Sequence, residues 1–341
     1  MGQRRTSLKE MAEQLGVSIA TVSRALRDSH EVGEEMRIKI QTLAKKLNYR
    51  PNPFAQSLKR KTPKVIGVVV PNLVTHYYAA VLDGIEDYAT KAGYAVIAAN
   101  SHEDHLREEK AIDNFVNMYV VGIIACIAQD TIDYSHFVEI NNMGIPLVFF
   151  ARTCLPEMFS SVVSNGDEAA KEATLHLIDT GSHRIAFIGG PQHLDMMRRR
   201  KHGYLEALRE RNIKIDRSII VNGSIDYDYA RETTIKMLQR EDRPDAILAF
   251  NDIITYAAFD AIKSVGLRIP EDVAIIGFTE TETSFFVTPK LSAIMDQAHY
   301  TGERVCELLL KNINGDKKIY KEVVPMTLEI RESSDKIKIE K

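Results

Sequence analysis

The sequence predicts a two-part protein: a small N-terminal helical domain of the helix-turn-helix type, followed by a larger α/β body that contains two parallel sheets. Residues 7–47 carry helix-capping residues and apolar residues at helical spacing. From Lys64 onward, short apolar runs of strand length alternate with helical segments, a rhythm typical of parallel sheets covered by helices. The length of 341 residues fits this division, since chains fold as domains of roughly 150 residues each.

Charge is divided unevenly between the two parts. Residues 1–62 hold 13 Lys and Arg residues against six Asp and Glu residues, a formal charge of +7, whereas the rest holds 31 against 41, a formal charge of −10. A basic head on an acidic body indicates a polyanionic partner for the head alone. A solvated lysine-rich surface would explain the charge equally well, so spacing must decide.

Composition excludes secreted and membrane-spanning classes of protein. The three cysteines are widely spaced, which argues against a disulfide framework or a cysteine-based zinc site. No apolar run approaches the roughly 20 residues needed to cross a bilayer. Basic residues near the N-terminus are not followed by the apolar region of a secretory signal. We therefore expect a cytoplasmic protein with no membrane partner.

Three helices are predicted in the head. Ser7 and Glu10 form a capping box, and Gly16 supplies a residue that ends a helix in the left-handed conformation. Ser18 is a natural N-cap for a second helix. A third helix is predicted from about Gly33 to Leu47, with Ile38, Leu43, Ala44 and Leu47 on its apolar side.

The second helix has the side chains of a helix that lies in a DNA major groove. Arg24 can contact guanine through two hydrogen bonds, and the Thr21 and Ser23 hydroxyls can bind phosphate or base edges. Ile19 and Ala20 offer apolar contacts to thymine methyl groups. The predicted DNA-binding residues of the head are therefore Ser18, Ile19, Ala20, Thr21, Ser23 and Arg24. A small three-helix domain that binds protein is the alternative.

The pattern Ala12-x-x-x-Gly16-Val17-Ser18-x-x-Thr21-Val22-Ser23-Arg24-x-Leu26 closely resembles the DNA-binding headpiece of the LacI/GalR repressor family. Tyr49-Arg50-Pro51-Asn52 resembles the junction that follows the third helix in that family. The resemblance implies that residues 1–50 bind a near-palindromic operator in double-stranded DNA, as part of a homodimer.

Residues 51–62 resemble the hinge helix of the same family. The resemblance implies that Leu58 enters the minor groove, with Ala55 and Lys59 beside it, when two chains sit together on DNA. A helix of about seven residues is too short to be stable alone in water. Without the resemblance, a linker helix with a chance leucine would be the better interpretation. Phe54 stands where the family more often has a small aliphatic residue.

The body, residues 63–341, resembles the two-lobed core of the type I periplasmic-binding-protein-like fold. The chain crosses three times between the lobes of that fold. The resemblance implies a first lobe of about 63–163 and 291–325, and a second lobe of about 164–290 and 326–341. The predicted strands are 65–71, 94–100, 121–128, 146–151, 184–189, 246–250 and 273–278.

A small-molecule effector is expected between the lobes, because ligands of such sheets bind beyond the carboxyl ends of the strands. Matching the residues at those ends to the family's ligand-binding positions implies an effector site of Tyr77, Tyr78, Arg152, Arg200, Asn251, Asp252, Thr279, Glu280 and Gln297.

Two departures from the family bear on the chemistry of the effector. Ala151 and Thr279 stand where many members carry acidic residues, while Arg152 and Arg200 are kept. We therefore expect a positive cleft and an effector such as a sugar acid or a sugar phosphate, since arginine binds carboxylate and phosphate through two hydrogen bonds.

Other features do not predict a second activity. His102 and His105 lie near Glu103 and Asp104, but a solvated loop or helix start is the favoured interpretation, and no metal or other cofactor is predicted. No Gly-x-Ser-x-Gly motif supports a hydrolase, and we expect no enzymatic activity. The C-terminal segment Asp335–Lys341 is short and charged, which favours a dimer over a tetramer.

The sequence as a whole predicts a DNA-binding transcriptional repressor that responds to a carbohydrate-type effector. Three alternatives remain open: control by a corepressor such as a nucleobase, control by a partner protein, and a sugar-binding protein with a vestigial head. Whether the effector releases or recruits the protein is not predicted.

Overall fold

The structure is a computed structural model that describes residues 7–26, 31–47, 49, 64–279, 284 and 286–336. The chain divides into two compact units, Met1–Pro63 and Lys64–Lys341. The predicted hinge helix, with Ala55, Leu58 and Lys59, lies outside the described residues, as does Glu280.

The first unit contains the predicted helices: α1 (Leu8–Leu15), α2 (Ile19–Ala25) and α3 (Glu34–Lys46). The capping box is confirmed, since Ser7 Oγ accepts the Glu10 amide at 3.2 Å and Glu10 Oε2 accepts the Ser7 amide at 2.8 Å. Gly16 ends α1 in the left-handed conformation, with φ 64°. The capping box thus fixes where α1 begins, and Gly16 turns the chain out of α1 toward α2.

A small apolar core joins the three helices of the first unit. Met11, Val22 and Ile40 are fully buried there. Ile38, which we expected on the apolar side of α3, is 55% exposed, so that expectation is wrong. Successive helical residues are rotated by about 100°, so Ile38 lies on the side of α3 opposite to Ile40.

The second unit is built from alternating strands and helices. Its first part contains β1 (Val65–Val70), α4 (His76–Lys91), β2 (Ala95–Asn100), α5 (His105–Asn117), β3 (Gly122–Ala125), α6 (Ser135–Asn142), β4 (Leu147–Phe150), β5 (Ser160–Ser164), α7 (Gly166–Asp179), β6 (Ile185–Gly189) and α8 (Asp195–Glu210). A 3-10 turn (Arg217–Ile219) follows, and then β7 (Ile220–Asn222), α9 (Tyr227–Leu238), β8 (Ala246–Ala249), α10 (Asp252–Ser264), β9 (Ala274–Phe278), β10 (Ser292–Met295), α11 (Ala298–Ile313), β11 (Lys321–Val324) and β12 (Thr327–Glu329).

These strands form two six-stranded sheets, one in each lobe. The first sheet has the order β11-β5-β4-β3-β1-β2, and the second has the order β12-β10-β9-β8-β6-β7. Neighbouring strands are parallel except β10 and β12, which pair in antiparallel fashion. The predicted two-sheet α/β core is therefore confirmed.

One crossing between the lobes differs from the expectation. We expected the chain to return to the first lobe near residue 291. Strand β10 instead pairs with β9 in the second sheet, with Ser292 opposite Ile276. The return therefore follows Met295, and α11 then packs against α4 of the first lobe.

Five strands were not predicted from the sequence: β5, β7, β10, β11 and β12. Each has only three to five residues. Three of them, β7, β11 and β12, lie at sheet edges and keep partly exposed side chains. Short, half-exposed edge strands lack the continuous apolar run that marks a buried parallel strand.

Helices α4 and α11 approach each other closely on the face of the first sheet. A Cβ atom at Gly84 would overlap the His299 carbonyl oxygen, and one at Gly302 would overlap the Val81 carbonyl oxygen. Glycine at both positions therefore allows the two helix backbones to touch. None of the described helices has both the length and the apolar character that spanning a bilayer requires.

Candidate functional site

Helix α2 in the first unit presents most of its predicted DNA-binding residues to solvent. Ser18, Ile19, Ala20 and Arg24 are exposed, and Thr21 and Ser23 are half-buried. The Ser18 hydroxyl accepts the Thr21 amide at 3.0 Å and lies 2.8 Å from the Thr21 hydroxyl. The Ser18 hydroxyl therefore caps the helix and is held by Thr21, whereas Ile19, Ala20 and Arg24 present exposed side chains.

Arg24 has an ion-pair partner within the first unit. Its Nε atom lies 3.2 Å from Glu31 Oε2, and both side chains are more than half exposed. Exposed ion pairs contribute about 0–1 kcal/mol. The pair orients the guanidinium but would cost little to open when a base edge or a phosphate competes for it.

The second unit has a cavity between its lobes, at the carboxyl ends of strands from both sheets. Its volume is about 630 Å³, including the opening to solvent. Of the nine predicted effector residues, seven line it: Tyr77, Tyr78, Arg152, Arg200, Asn251, Asp252 and Thr279. It is also lined by Thr75, Glu103, Met196, Ile225, Phe250, Ile253, Phe278, Ile294 and Asp296.

Tyr77 and Tyr78 form an aromatic wall on the first turn of α4. Their ring centroids are 5.3 Å apart in an edge-to-face arrangement, and Tyr78 also packs edge-to-face on Phe150. Tyr78 is 6% exposed, and its burial raises the pKa of its hydroxyl well above the usual value. Tyr78 thus stays neutral and can both donate and accept a hydrogen bond.

Arg152 is held by a carboxylate of its own lobe. Its Nη1 and Nη2 atoms donate to Glu103 Oε2 and Oε1 at 2.6 and 3.0 Å. The Nη1 atom also donates to the Ile127 carbonyl oxygen at 3.3 Å. This two-pronged pair leaves the terminal nitrogens of Arg152 with little capacity for a further anion.

Arg200 on α8 has a different environment. Its Nη1 atom donates to the Phe250 carbonyl oxygen, and its guanidinium lies 3.7 Å from the centroid of the Phe278 ring. The nearest carboxylate oxygen, Asp296 Oδ2, is 3.8 Å from Nη2. Burial lowers the pKa of Arg200 to about 10, against the opposing charge of Asp296, so the side chain is still protonated at neutral pH.

Two aspartates of the same lobe line the cavity together with Arg200. Burial raises the pKa of both Asp252 and Asp296, while the charge of Arg200 partly offsets the effect. Asn251 caps α10, because its Oδ1 atom accepts the Ile254 amide at 3.1 Å. The Thr279 hydroxyl lies 2.8 Å from the Tyr256 hydroxyl. The second lobe thus offers carboxylate, amide and hydroxyl groups that suit a polyhydroxylated ligand.

The expectation of a positive cleft is wrong for the described lining residues. Three carboxylates, Glu103, Asp252 and Asp296, face two guanidiniums. Both guanidiniums already have carboxylate neighbours. The loss of acids at 151 and 279 is thus compensated by acids elsewhere, because buried arginines require opposite charges close by.

Gln297 does not line the cavity, whereas its neighbour Asp296 does. Strand β10 ends at Met295, so Asp296 is the first residue beyond the strand. Gln297 precedes α11, and its Nε2 atom donates to the Pro325 carbonyl oxygen at 2.9 Å. The role predicted for Gln297 stays a prediction, while Asp296 is a lining residue that the sequence match did not choose.

Several lining residues were missed although the sequence carries a signal for them. Phe250 follows β8 directly and Phe278 is the last residue of β9, the positions at which strands present ligand-binding groups. Glu103 stands three residues beyond β2, also at the carboxyl end of a strand. Met196, at the start of α8, lies in the segment that follows β6, which is also a strand-end position. Ile225 carried no such signal in the sequence.

One hydrogen bond directly joins the two lobes beside the cavity. Gln129, which follows β3 in the first lobe, accepts the Ile225 amide of the second lobe at its Oε1 atom, 3.0 Å away. The backbone amide of Gln129 donates to Glu103 Oε2 at 2.8 Å, the same oxygen that binds Arg152. The contact between the lobes therefore belongs to one network with two cavity-lining side chains.

Two protein-family models match the chain. Residues 7–52 match the bacterial regulatory proteins of the lacI family, and residues 174–334 match the periplasmic binding protein-like domain. The first match covers the helix-turn-helix, and the second covers most of the second lobe with the final crossings.

Curated relatives match over almost the whole chain. Catabolite control protein A of Priestia megaterium is 30% identical over 332 residues, which are 96% of this chain and 99% of the relative. The ribose operon repressor of Bacillus subtilis (strain 168) is 33% identical over 304 residues, 89% of this chain and 90% of the relative. Among solved structures, the complex of the transcriptional regulator CelR with cellobiose superposes with a TM-score of 0.74 at 25% identity, over 96% of this chain and 100% of that one. The chain therefore belongs to the LacI/GalR family of DNA-binding transcriptional regulators.

Proposed function

We infer that this regulator is a repressor that binds a palindromic operator as a homodimer, and that a small sugar-type ligand between its lobes controls the affinity for DNA. The observation that carries the proposal is the cavity itself. Side chains that suit a polyhydroxylated ligand line it from both lobes, in a chain whose first unit carries a fully capped helix-turn-helix.

Operator recognition is assigned to helix α2 and to the hinge residues. Arg24 would leave Glu31 to contact a guanine, and Ile19 and Ala20 would contact thymine methyl groups. Ala55, Leu58 and Lys59 would act in the minor groove, as the family resemblance implies. A twofold-symmetric pair of heads requires an operator with matching half-sites.

A neutral sugar fits the cleft better than a sugar acid or a sugar phosphate. An anionic ligand would have to displace Glu103 from Arg152, or bring a third negative charge close to Asp252 and Asp296. A neutral sugar can instead stack on an aromatic face and share its hydroxyls with the existing pairs. The ribose operon repressor and the CelR–cellobiose complex support a sugar-type ligand.

Coupling to DNA would run through the arrangement of the lobes. A ligand that contacts Glu103, Arg152 or Ile225 touches the network that contains the Gln129 bridge between the lobes. By thermodynamic linkage, a ligand that weakens operator binding is itself bound more weakly by the DNA-bound protein, by the same factor.

The test is a fluorescence-anisotropy titration of the full-length protein against a pool of labelled palindromic duplexes at two salt concentrations. Selective, salt-dependent binding is expected. Arg24→Ala should weaken binding to the selected duplex by roughly 10–100-fold, as expected for the loss of one good base contact. Leu58→Ala should also weaken binding. Lys236→Ala removes an exposed charge from α9 in the second unit and serves as the control. Equal affinity for palindromic and scrambled duplexes would contradict the proposal.

The same assay then identifies the ligand class. Neutral pentoses, hexoses and disaccharides form one panel, and sugar acids and sugar phosphates form the other. A change in operator affinity with neutral sugars supports the proposed ligand. A response to the anionic panel alone would show that Arg152 or Arg200 exchanges its carboxylate partner for the ligand.

A further inference from the structure

A cluster of His105, Glu108 and His136 lies in the first lobe, outside the residues that line the cavity. His105 and Glu108 are three residues apart on the first turn of α5, and therefore lie on the same face of that helix. His136 is the second residue of α6. One potential ligand atom from each residue lies within 4.8 Å of the other two.

We propose that His105, Glu108 and His136 form a binding site for a divalent zinc ion. Two imidazoles and one carboxylate are the ligand set that zinc accepts in sites with three protein ligands, where water takes the fourth position. This site is separate from the effector cavity and from the DNA-binding helix.

The spacing of the three side chains agrees with tetrahedral coordination. Glu108 Oε1 and His136 Nε2 are 3.1 Å apart. Two ligands of a tetrahedral zinc ion with bonds of about 2.05 Å stand about 3.35 Å apart. The His105 and His136 ring centroids are 5.3 Å apart, and two imidazoles that share a tetrahedral zinc ion have centroids about 5.2 Å apart. Small adjustments would therefore bring all three side chains onto one ion.

The cluster is buried, and polar atoms in it lack hydrogen bonds. The Glu108 and His136 side chains are 0% and 6% exposed, and His105 is half-buried. Within the described part of the chain, the Nδ1 atoms of His105 and His136 are buried and have no hydrogen-bond partner. Buried polar atoms are normally paired, so the His105 ring has an unused nitrogen available for a metal ion.

Hydrogen bonds hold the carboxylate in place before an ion arrives. Glu108 Oε2 accepts the Ala128 amide at 2.6 Å, and Oε1 accepts the Thr131 hydroxyl at 2.9 Å. Outer partners of this kind orient a ligating side chain and commonly raise metal affinity. Ala128 and Thr131 flank Gln129, so an ion held by Glu108 would also stiffen the loop that bridges the two lobes.

Charge around the cluster favours a cation on balance. The N-termini of α5 and α6 carry partial positive charge, which disfavours the binding of a cation. Asp104, which caps α5, and Glu108 offset that charge. Asp133 adds a third carboxylate three residues before His136, and its Oδ1 atom accepts the Ser135 amide at 2.9 Å.

The test measures zinc binding by the full-length protein, prepared without a histidine tag and stripped with a chelator. Zinc chloride is titrated by calorimetry, and one ion per chain is expected. His105→Asn should weaken zinc binding by at least the roughly 10–100-fold that loss of an outer partner costs. It is chosen because His105 is only half-buried, so the variant should fold, and its melting temperature without zinc checks this.

His102→Asn is the matched control. His102 is exposed on the loop that precedes α5 and has φ 54°, a conformation that asparagine tolerates well. This variant should bind zinc as the unaltered protein does, and zinc should raise the melting temperature of both but not that of His105→Asn. The free cysteines are buried and do not offer a competing site. Absence of stoichiometric binding by the unaltered protein, or equal binding by His105→Asn, would overturn the proposal.

Discussion

Arg152 and Arg200 line the same cavity from opposite lobes, and both side chains are 4% exposed, yet their surroundings differ. Both terminal nitrogens of Arg152 bind one carboxylate of its own lobe. Arg200 has a carbonyl oxygen, an aromatic face and a carboxylate 3.8 Å away. Burial therefore lowers the pKa of Arg200, whereas the charges near Arg152 outweigh its burial and raise its pKa.

The different surroundings of Arg152 and Arg200 indicate different roles for the two side chains in the same cavity. Arg152 has its charge satisfied by its own lobe, so we expect it to contribute mainly to stability. The charge of Arg200 is only partly compensated by Asp296. A ligand with hydrogen-bond acceptors would therefore gain more binding energy from Arg200 than from Arg152.

The largest effect is expected from breaking the Arg152 pair. Glu103→Gln leaves a buried guanidinium without its counter-charge, and should lower the free energy of unfolding by about 3 kcal/mol. Asp296→Asn, the corresponding change beside Arg200, should alter it by less than about 1 kcal/mol, because that pair is longer and Asp296 is itself destabilised by burial. Urea denaturation of the full-length variants measures both. Equal losses would remove the distinction between the two arginines.

Ligand affinity should show the reverse order. Arg200→Lys keeps the charge but loses the planar fork and the stacking on Phe278. It should weaken binding of the sugar found in the screen by roughly 10-fold or more, the cost of about one hydrogen bond to a charged group. Arg199→Lys is the control, since Arg199 pairs with Asp195 and does not line the cavity. Calorimetry measures both variants, and unchanged affinity in Arg200→Lys would refute the assigned role.

A smaller effect on ligand binding is expected from the hydrogen bond between Gln129 and Ile225, which joins the two lobes. Gln129→Leu removes the acceptor for the Ile225 amide, and should weaken ligand binding about 2–10-fold, as the loss of one hydrogen bond worth about 0.5–1.5 kcal/mol predicts. Gln239→Leu, on the exposed end of α9, is the control. If ligand affinity stays constant in both variants, the bridge does not take part in the response.

The smallest effect is a pH dependence. The folded-state pKa of Asp296 is raised above 3.8 by burial, so between those values the folded state binds more protons than the unfolded state. Stability from this group therefore falls as the pH rises from 3.8 through the raised pKa. Asp296→Asn removes the titration, so its stability relative to the unaltered protein should increase over the same range. Urea midpoints measured across that range test the sign, and a relative decrease would contradict it.

The sequence was sufficient for the first unit because its determinants are local. The capping box at Ser7, the left-handed turn at Gly16 and the cap at Ser18 each depend on residues three or four positions away. Their geometry could therefore be predicted from spacing alone. Even there, the expectation that Ile38 lies in the core was wrong, because Ile40 and not Ile38 shares the helical spacing of Leu43, Ala44 and Leu47.

In the second unit, the sequence predicted seven of the twelve described strands but not the long-range partners of the cavity side chains. Long apolar runs such as β1 and β9 were predicted, because burial on both faces of a parallel sheet requires them. The pairing of Arg152 with Glu103, 49 residues away in the chain, could not be predicted from the sequence. The expected positive charge of the cleft was wrong for that reason. The position of Asp296 in place of Gln297 likewise depends on where β10 ends. Strand order and burial set such long-range contacts, and these are properties of the tertiary structure alone.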